Sequence, residues 1–201
     1  MSLNELVFSA IAATITITLH EFIKALISSS LGDPLPKRDG RVTLNPLKHI
    51  EPIGFIIMIA LGFGWGKPVE TASIYYKDRK KGTLITYIIP SVANLLFGII
   101  AALLLVVGKI PLNGRILLHS IAICNLRHAF FNIVPVYPLD GAKVFATLRN
   151  PNRVIMMVNN QTFHQMILVF FIIWGLVSRI IDPVCYAVIN GILNLYLPAG
   201  V

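Results

Sequence analysis

Cysteine and charge are both scarce in this chain of 201 residues. Its two cysteines, Cys124 and Cys185, lie in apolar stretches and form no Cys-x-x-Cys pair. This argues against a thiolate metal site and predicts two buried free thiols, with a disulfide as the alternative. Charged residues make up 13% of the chain and hydrophobic residues 56%, with a mean hydropathy of +0.76. Such a composition excludes an ordinary soluble domain and predicts an integral membrane protein.

Acidic residues are few as well, with 9 Asp and Glu against 17 Lys and Arg, for a formal net charge of +8. In a soluble protein this excess would suggest a nucleic-acid partner. Here the basic residues concentrate at 32–52 and 66–82, between apolar runs, which is the positive-inside pattern. The sequence therefore predicts anionic lipids, and no nucleic acid, beside these charges and places both segments in the cytoplasm.

Four apolar runs approach the roughly 20 residues that a helix needs to cross a bilayer, at 6–31, 83–107, 116–134 and 163–181. A shorter run at 53–64 is too brief to cross and is predicted to be re-entrant, which puts the N-terminus outside. Residues 183–201 are assigned to the interface or to a partial span. We predict a single multi-pass domain of the cell membrane over 1–201, with a core at about 6–145 and C-terminal helices at about 160–198.

An ionisable cluster, His20-Glu21-Phe22-Ile23-Lys24, lies inside the first apolar run. Charge inside a membrane is costly, so the cluster is a candidate functional site. In the related pattern His-Glu-x-x-His, two imidazoles on one helix face bind zinc and the Glu is the general base. Here Lys24 stands where that pattern has its second His.

Two later segments bear on this cluster. Residues 40–46 alternate weakly between polar and apolar side chains, which predicts a short membrane-associated β-hairpin. Pro135 and Pro138 remove backbone donors after an apolar helix and predict an extended segment that carries Asp140. Because catalytic zinc needs three protein ligands and an open position, His20 and Asp140 are two good candidate ligands.

Taken together, these motifs resemble the site-2 protease family of intramembrane zinc metalloproteases. The similar segments follow the family's order and spacing over about residues 15–145 and are 19–32, 40–46, 48–52, 64–69, 90–94 and 132–141, the last of them containing Pro138-Leu139-Asp140-Gly141. The resemblance implies an all-α polytopic membrane protein with a three-helix core that holds Zn²⁺ through two His and one Asp. It also implies a transmembrane helix as the substrate.

The resemblance also implies roles for individual residues. His20 and Asp140 match two of the zinc ligands, and Glu21 matches the base that activates zinc-bound water. Asn94 matches a polar, substrate-binding position of the core near the site.

Three residues depart from the family's pattern and leave the metal site open to several interpretations. A Lys24 ammonium has no lone pair, so Lys24 binds zinc only as a neutral amine. Alternatively, its ammonium fills the cation site and pairs with Glu21 or Asp140, which gives an inactive pseudoprotease. In a third hypothesis, His128 replaces the missing ligand while Arg127 neutralises a carboxylate, since both stand where the family has apolar residues.

Two functions from different classes follow from these interpretations. The first is an intramembrane zinc metalloprotease that cleaves transmembrane helices of membrane proteins, with an altered metal site. The second is a catalytically dead pseudoprotease that binds a membrane partner or substrate helix without cleaving it. A transporter or channel is a more distant third. Enzymatic activity and zinc occupancy both depend on what Lys24 does.

Overall fold

Helices form the regular structure of this chain, and residues 3–149 and 161–196, which the computed structural model describes, contain no β-strand. The helices are α1 Leu3–Ser30, α2 Leu35–Arg38, α3 Pro52–Leu61, α4 Arg79–Val107, α5 Leu112–Phe131, α6 Asp140–Arg149, α7 Gln161–Ile173 and α8 Leu176–Tyr196. Short 3₁₀ turns at Pro46–Lys48 and Ser73–Tyr75 lie in the loops.

Three helices are long and apolar enough to cross a membrane, over Leu3–Ser30, Arg79–Val106 and Leu176–Asn194. The prediction of an all-α membrane protein is therefore confirmed. Helix α5 has 20 residues and packs against both α1 and α4, so these three helices form the core that positions the site. Helix α3 has only 10 residues, too few to cross, and ends at Gly62, which has a φ of 80°.

The predicted β-hairpin at 40–46 is wrong. Gly40 turns the chain with a φ of 63°, and the Asn45 side chain accepts a hydrogen bond from the Leu47 amide to start the first 3₁₀ turn. The Arg41 guanidinium binds two loop carbonyls, of Lys67 at 2.6 Å and Pro68 at 2.9 Å. In this segment, side chains form hydrogen bonds with backbone groups of the loops. The segment therefore does not pair with a neighbouring strand.

His49 is held in the same loop region and is fully buried. Its ring Nε2 lies 2.7 Å from the Thr43 carbonyl, so Nε2 carries the proton and donates this hydrogen bond. Burial lowers the pKa of His49. The neutral ring therefore acts as a tie between loop segments.

The C-terminal region differs from the single span predicted at 163–181. The chain breaks at Trp174 and Gly175, where Gly175 has a φ of 74°, and α8 begins directly afterwards. Glycine adopts this left-handed conformation without strain, which lets α7 end and the chain turn. Residues 183–196, predicted to lie in the interface or in a partial span, therefore belong to a helix of spanning length. Residues 150–160 and 197–201 lie outside the described residues.

Apolar packing joins α8 to the core. Ile181, Cys185 and Ile189 of α8 share a buried cluster with Leu126 and Phe131 of α5. Both cysteines are buried and free, as predicted. The C-terminal helix is thus packed against the core rather than loosely appended to it.

An ion pair between α5 and α8 accompanies this packing. Arg127 Nε lies 2.8 Å from Asp182 Oδ1, and an Arg127 terminal nitrogen lies 3.0 Å from Asp182 Oδ2. The guanidinium also lies 5.3 Å from the centre of the Phe63 ring and fits against the Cα of Gly62. Bidentate pairing of this kind fixes both distance and orientation.

We expect Arg127→Met to lower the free energy of unfolding by roughly 2 kcal/mol, because it leaves the Asp182 carboxylate unpaired in an apolar helix. The effect is below that of a fully buried pair because both side chains retain about a fifth of their exposure. Thermal unfolding in detergent measures the change, and Arg127→Met combined with Asp182→Leu should recover most of it. A double variant no more stable than Arg127→Met would contradict this account.

Candidate functional site

Five side chains from three helices converge in one buried cluster. Helix α1 contributes His20, Glu21 and Lys24, and the first residue of α6 is Asp140. His20 Nε2 lies 2.9 Å from Asp140 Oδ2, and Asn94 of α4 places its Oδ1 3.2 Å from His20 Nδ1. Two residues 120 positions apart in the sequence are therefore joined by a direct contact.

The Lys24 ammonium lies between the two carboxylates of this cluster. Its Nζ is 2.9 Å from Glu21 Oε1 and 2.8 Å from Asp140 Oδ1, and the residue is 3% exposed. Helical spacing brings Lys24 onto the same turn as Glu21. The turns at 132–139, after α5, bring Asp140 to both. Two charge-assisted hydrogen bonds favour the protonated amine, which has no lone pair to offer a metal.

A chain of buried amides orients His20. Asn125 Nδ2 donates to the Ile121 carbonyl at 2.9 Å, so Asn125 Oδ1 faces Asn94 and accepts from Asn94 Nδ2 at 3.0 Å. Asn94 Nδ2 also donates to the Thr16 carbonyl at 3.2 Å. Both amides are thus fixed, and the Asn94 oxygen must accept a hydrogen bond from His20 Nδ1.

Hydrogen bonding at both ring nitrogens determines the charge of the cluster. Because His20 Nδ1 donates to Asn94, the 2.9 Å contact between His20 Nε2 and Asp140 needs a second proton between those two groups. Burial raises the pKa of Asp140, but Lys24 and His20 outweigh burial and hold it below its usual range. One proton therefore lies between His20 and Asp140, so this pair and the Lys24–Glu21 pair are each neutral overall.

The residues present do not fit the zinc site that the sequence pattern suggested. Catalytic zinc needs three ligands with free lone pairs, and Lys24 occupies the position between the carboxylates as a cation. Among residues 3–149 and 161–196, no group of three His, Cys, Asp or Glu side chains is placed to hold a metal ion. A cluster that is already neutral would also acquire two positive charges with the ion.

His128 and Arg127, which both depart from the family's pattern, have different surroundings. His128 lies beside the cluster, and Arg127 lies outside it. The His128 ring stands edge-on to His20, with ring centres 4.8 Å apart, and its Nδ1 has no hydrogen-bond partner among the described residues. Arg127 instead pairs with Asp182 on the other side of α5. The partner of Arg127 is thus a residue of α8.

Tyr87 lies beside both Lys24 and a neighbouring lysine, Lys143. Lys24 Nζ lies 5.8 Å and Lys143 Nζ 6.0 Å from the centre of the Tyr87 ring, and the Tyr87 hydroxyl meets Thr71 Oγ1 at 2.8 Å. A cavity of about 530 Å³ borders Asp140, and Tyr87 and Lys143 are among the residues that line it. Burial lowers the pKa of Lys143.

Three residues at or near the site were not predicted from the sequence. Asn125 and Tyr87 complete the surroundings of the cluster, and Asp182 neutralises Arg127. A polar or acidic residue in an apolar helix was the available signal for Asn125 and Asp182. Tyr87 offered none, because aromatic residues are common in membrane helices.

Two known proteins are similar in sequence to this chain. One, named "Putative zinc metalloprotease YwhC" in Bacillus subtilis, is 29% identical over 198 residues, which cover 94% of this chain and 90% of that protein. A zinc metalloprotease of Methanocaldococcus jannaschii is 26% identical over 81 residues, 40% of this chain and 24% of its own length. These similarities support a relationship to zinc metalloproteases. No family model and no solved structure matches the chain.

Proposed function

We propose that this chain is a catalytically inactive, zinc-independent relative of the site-2 type of intramembrane metalloprotease, which binds a transmembrane helix of another membrane protein without cleaving it. The observation that carries the proposal is the Lys24 ammonium between Glu21 and Asp140. The proposal extends the relationship to zinc metalloproteases, which by itself says nothing of inactivity or of the membrane as the place of binding.

The contacts of Glu21 argue against hydrolysis. A general base needs a carboxylate oxygen that a water molecule can reach. Here Glu21 Oε1 binds Lys24 at 2.9 Å, and Glu21 Oε2 is buried with no hydrogen-bond partner in the described part of the chain. The carboxylate therefore serves as the counter-ion of a buried ammonium.

Retention of His20, Glu21 and Asp140 does not require catalysis. Each has a specific partner in the cluster, and removing one member of such a buried network leaves another charge unpaired. The three residues are thus needed to join α1 to α6 across the core. The membrane helices around them keep the surface through which a helix of another protein is bound.

Zinc content of the purified, full-length protein tests this proposal. After equilibrium dialysis against zinc in detergent, we expect well below one zinc per chain, and the same residual content in His20→Ala. One zinc per chain that His20→Ala removes would overturn the proposal in favour of an active metalloprotease. If His128→Ala also removed that zinc, the site would be the rewired one in which His128 is a ligand.

A further inference from the structure

The cavity of about 530 Å³ beside Asp140 is lined by charged as well as apolar side chains. Lys67 and Glu70 reach it from the loop between α3 and α4, and Lys143 reaches it from α6. Its volume lies in the range of about 300–1,000 Å³ that is typical of small-molecule sites. The cavity is therefore large enough for a ligand, and the charges of its lining indicate which kind.

Two lysines of the cavity have no carboxylate partner. In the described part of the chain, neither Lys67 nor Lys143 forms an ion pair, and the exposed Glu70 forms none either. Asp140 borders the cavity as well, but both of its carboxylate oxygens contact other members of the buried ion cluster. The unpaired charges of the lining thus leave one net positive charge, which an anion would balance.

Hydrogen bonds fix the loop that carries Lys67. The Lys67 amide donates to the His49 carbonyl at 2.7 Å. The Arg41 guanidinium donates to the carbonyls of Lys67 at 2.6 Å and of Pro68 at 2.9 Å. A site that is already ordered before binding loses less conformational entropy when the ligand arrives. The backbone therefore holds Lys67 at the cavity without help from a ligand.

Lys143 is the cation on the other element of the cavity, α6. Its Nζ lies 6.0 Å from the centre of the Tyr87 ring, and the residue is partly buried. Burial lowers the pKa of Lys143, and the nearby Asp140 carboxylate offsets this only in part. An anion in the cavity would stabilise the ammonium, because opposite charges attract more strongly where water is partly excluded.

The cavity lies close to the end of a spanning helix. Exposed basic residues at 79–81 begin α4, and Tyr87 at the cavity wall is about two helical turns further along that helix. Basic residues at the end of a spanning helix lie at the level of the lipid headgroups. Apolar residues such as Leu35 and Val69 also line the cavity. The lining therefore suits a ligand with an anionic group attached to an apolar part.

We propose that this cavity binds the headgroup of an anionic phospholipid, with the phosphodiester between Lys67 and Lys143. A phosphodiester carries one negative charge, which matches the net charge of the lining. Inorganic phosphate shares this chemistry but would leave the apolar part of the lining uncovered. The bound lipid would join the loop after α3 to α6. The site is separate from the proposed function, since neither lysine belongs to the ion cluster.

Native mass spectrometry of the purified full-length protein, titrated with phosphatidylglycerol in neutral detergent, tests the site. Phosphatidylcholine with the same acyl chains is the comparison, because its headgroup has no net charge. We expect one phosphatidylglycerol to bind saturably and phosphatidylcholine to bind about tenfold more weakly, since each lysine near an anionic headgroup contributes about 1 kcal/mol. Equal affinity for the two lipids would overturn the proposal. Displacement of the lipid by millimolar inorganic phosphate would overturn it as well, in favour of a site for the free anion.

Paired substitutions locate the binding. Lys67→Gln combined with Lys143→Gln should weaken phosphatidylglycerol binding about tenfold. Lys80→Gln combined with Lys81→Gln removes the same charge from the start of α4, outside the cavity, and should leave the affinity nearly unchanged. An equal loss in both double variants would show general attraction to basic residues and would contradict the site.

Substitutions of opposite sign supply the second arm. Glu70→Gln removes a carboxylate from the cavity and should strengthen phosphatidylglycerol binding about fivefold, whereas Lys67→Glu should weaken it. Both positions are exposed, so these variants serve if the double lysine variant fails to fold. A merely structural role of the loop would not give a gain in Glu70→Gln. Unchanged affinity in both folded proteins would rule out the headgroup site.

Discussion

Lys24→Met is expected to lower the free energy of unfolding by about 3–5 kcal/mol, the range for breaking a buried ion pair. The substitution keeps the length and apolar stem of the side chain but removes the ammonium that lies 2.9 Å from Glu21 and 2.8 Å from Asp140. Both carboxylates are buried, so neither gains water in compensation. Thermal unfolding in detergent, at neutral pH and with a chelator present, measures the loss.

Lys143→Met is the matched control for this experiment. Lys143 Nζ lies 6.0 Å from the centre of the Tyr87 ring, and the residue is only partly buried. A cation–π contact of this kind contributes about 0.5–1 kcal/mol, so the control should be far less destabilised. If the two variants unfolded at the same temperature, the ion cluster would not be the contact that stabilises the packing of α6 on α1.

Lys24→His is expected to give a protein that binds about one zinc per chain, unlike the unmodified protein as we propose it. The imidazole introduced at position 24 would lie one turn from His20 on the same helix face, next to Asp140. Two imidazoles and a carboxylate are a ligand set that catalytic zinc uses, with a position left for water. Removing Lys24 also frees Glu21 Oε1, which could then act as a base.

Metal analysis and unfolding measure the result together. At zinc concentrations 100 times the dissociation constant, binding to the folded state alone adds about 2.7 kcal/mol of stability, which a chelator should abolish. Lys24→His combined with Asp140→Ala is the control and should lose the metal. A Lys24→His protein that takes up no zinc would show that more than one residue separates this site from a working one.

Local chemistry made several features predictable. Hydropathy over windows of about 20 residues predicts spanning helices, and helical spacing alone puts His20 and Lys24 on one face. Prolines at 135 and 138 predict that α5 ends before Asp140, and it does. The extended segment predicted there is wrong, because residues 132–139 form turns and bends and Asp140 begins α6. The break at Gly175 was missed, because a single glycine in an apolar run is compatible with either a continuous or an interrupted helix.

The sequence alone did not predict which residue each buried charged or polar side chain contacts. Arg127 and His128 are adjacent and both depart from the expected pattern, yet one binds Asp182 and the other lies beside His20. Adjacent residues on a helix point about 100° apart, so only the arrangement of α1, α5 and α8 determines what each one meets.

The amino-acid sequence by itself determined that this protein is helical, that it belongs in a membrane, and that His20, Glu21, Lys24 and Asp140 are its chemically distinctive residues. Only the tertiary structure decided that the Lys24 ammonium lies between both carboxylates and that the predicted hairpin does not form. Periodicity and hydropathy act within one helix, whereas ion pairing depends on distances of a few ångströms between residues far apart in the chain.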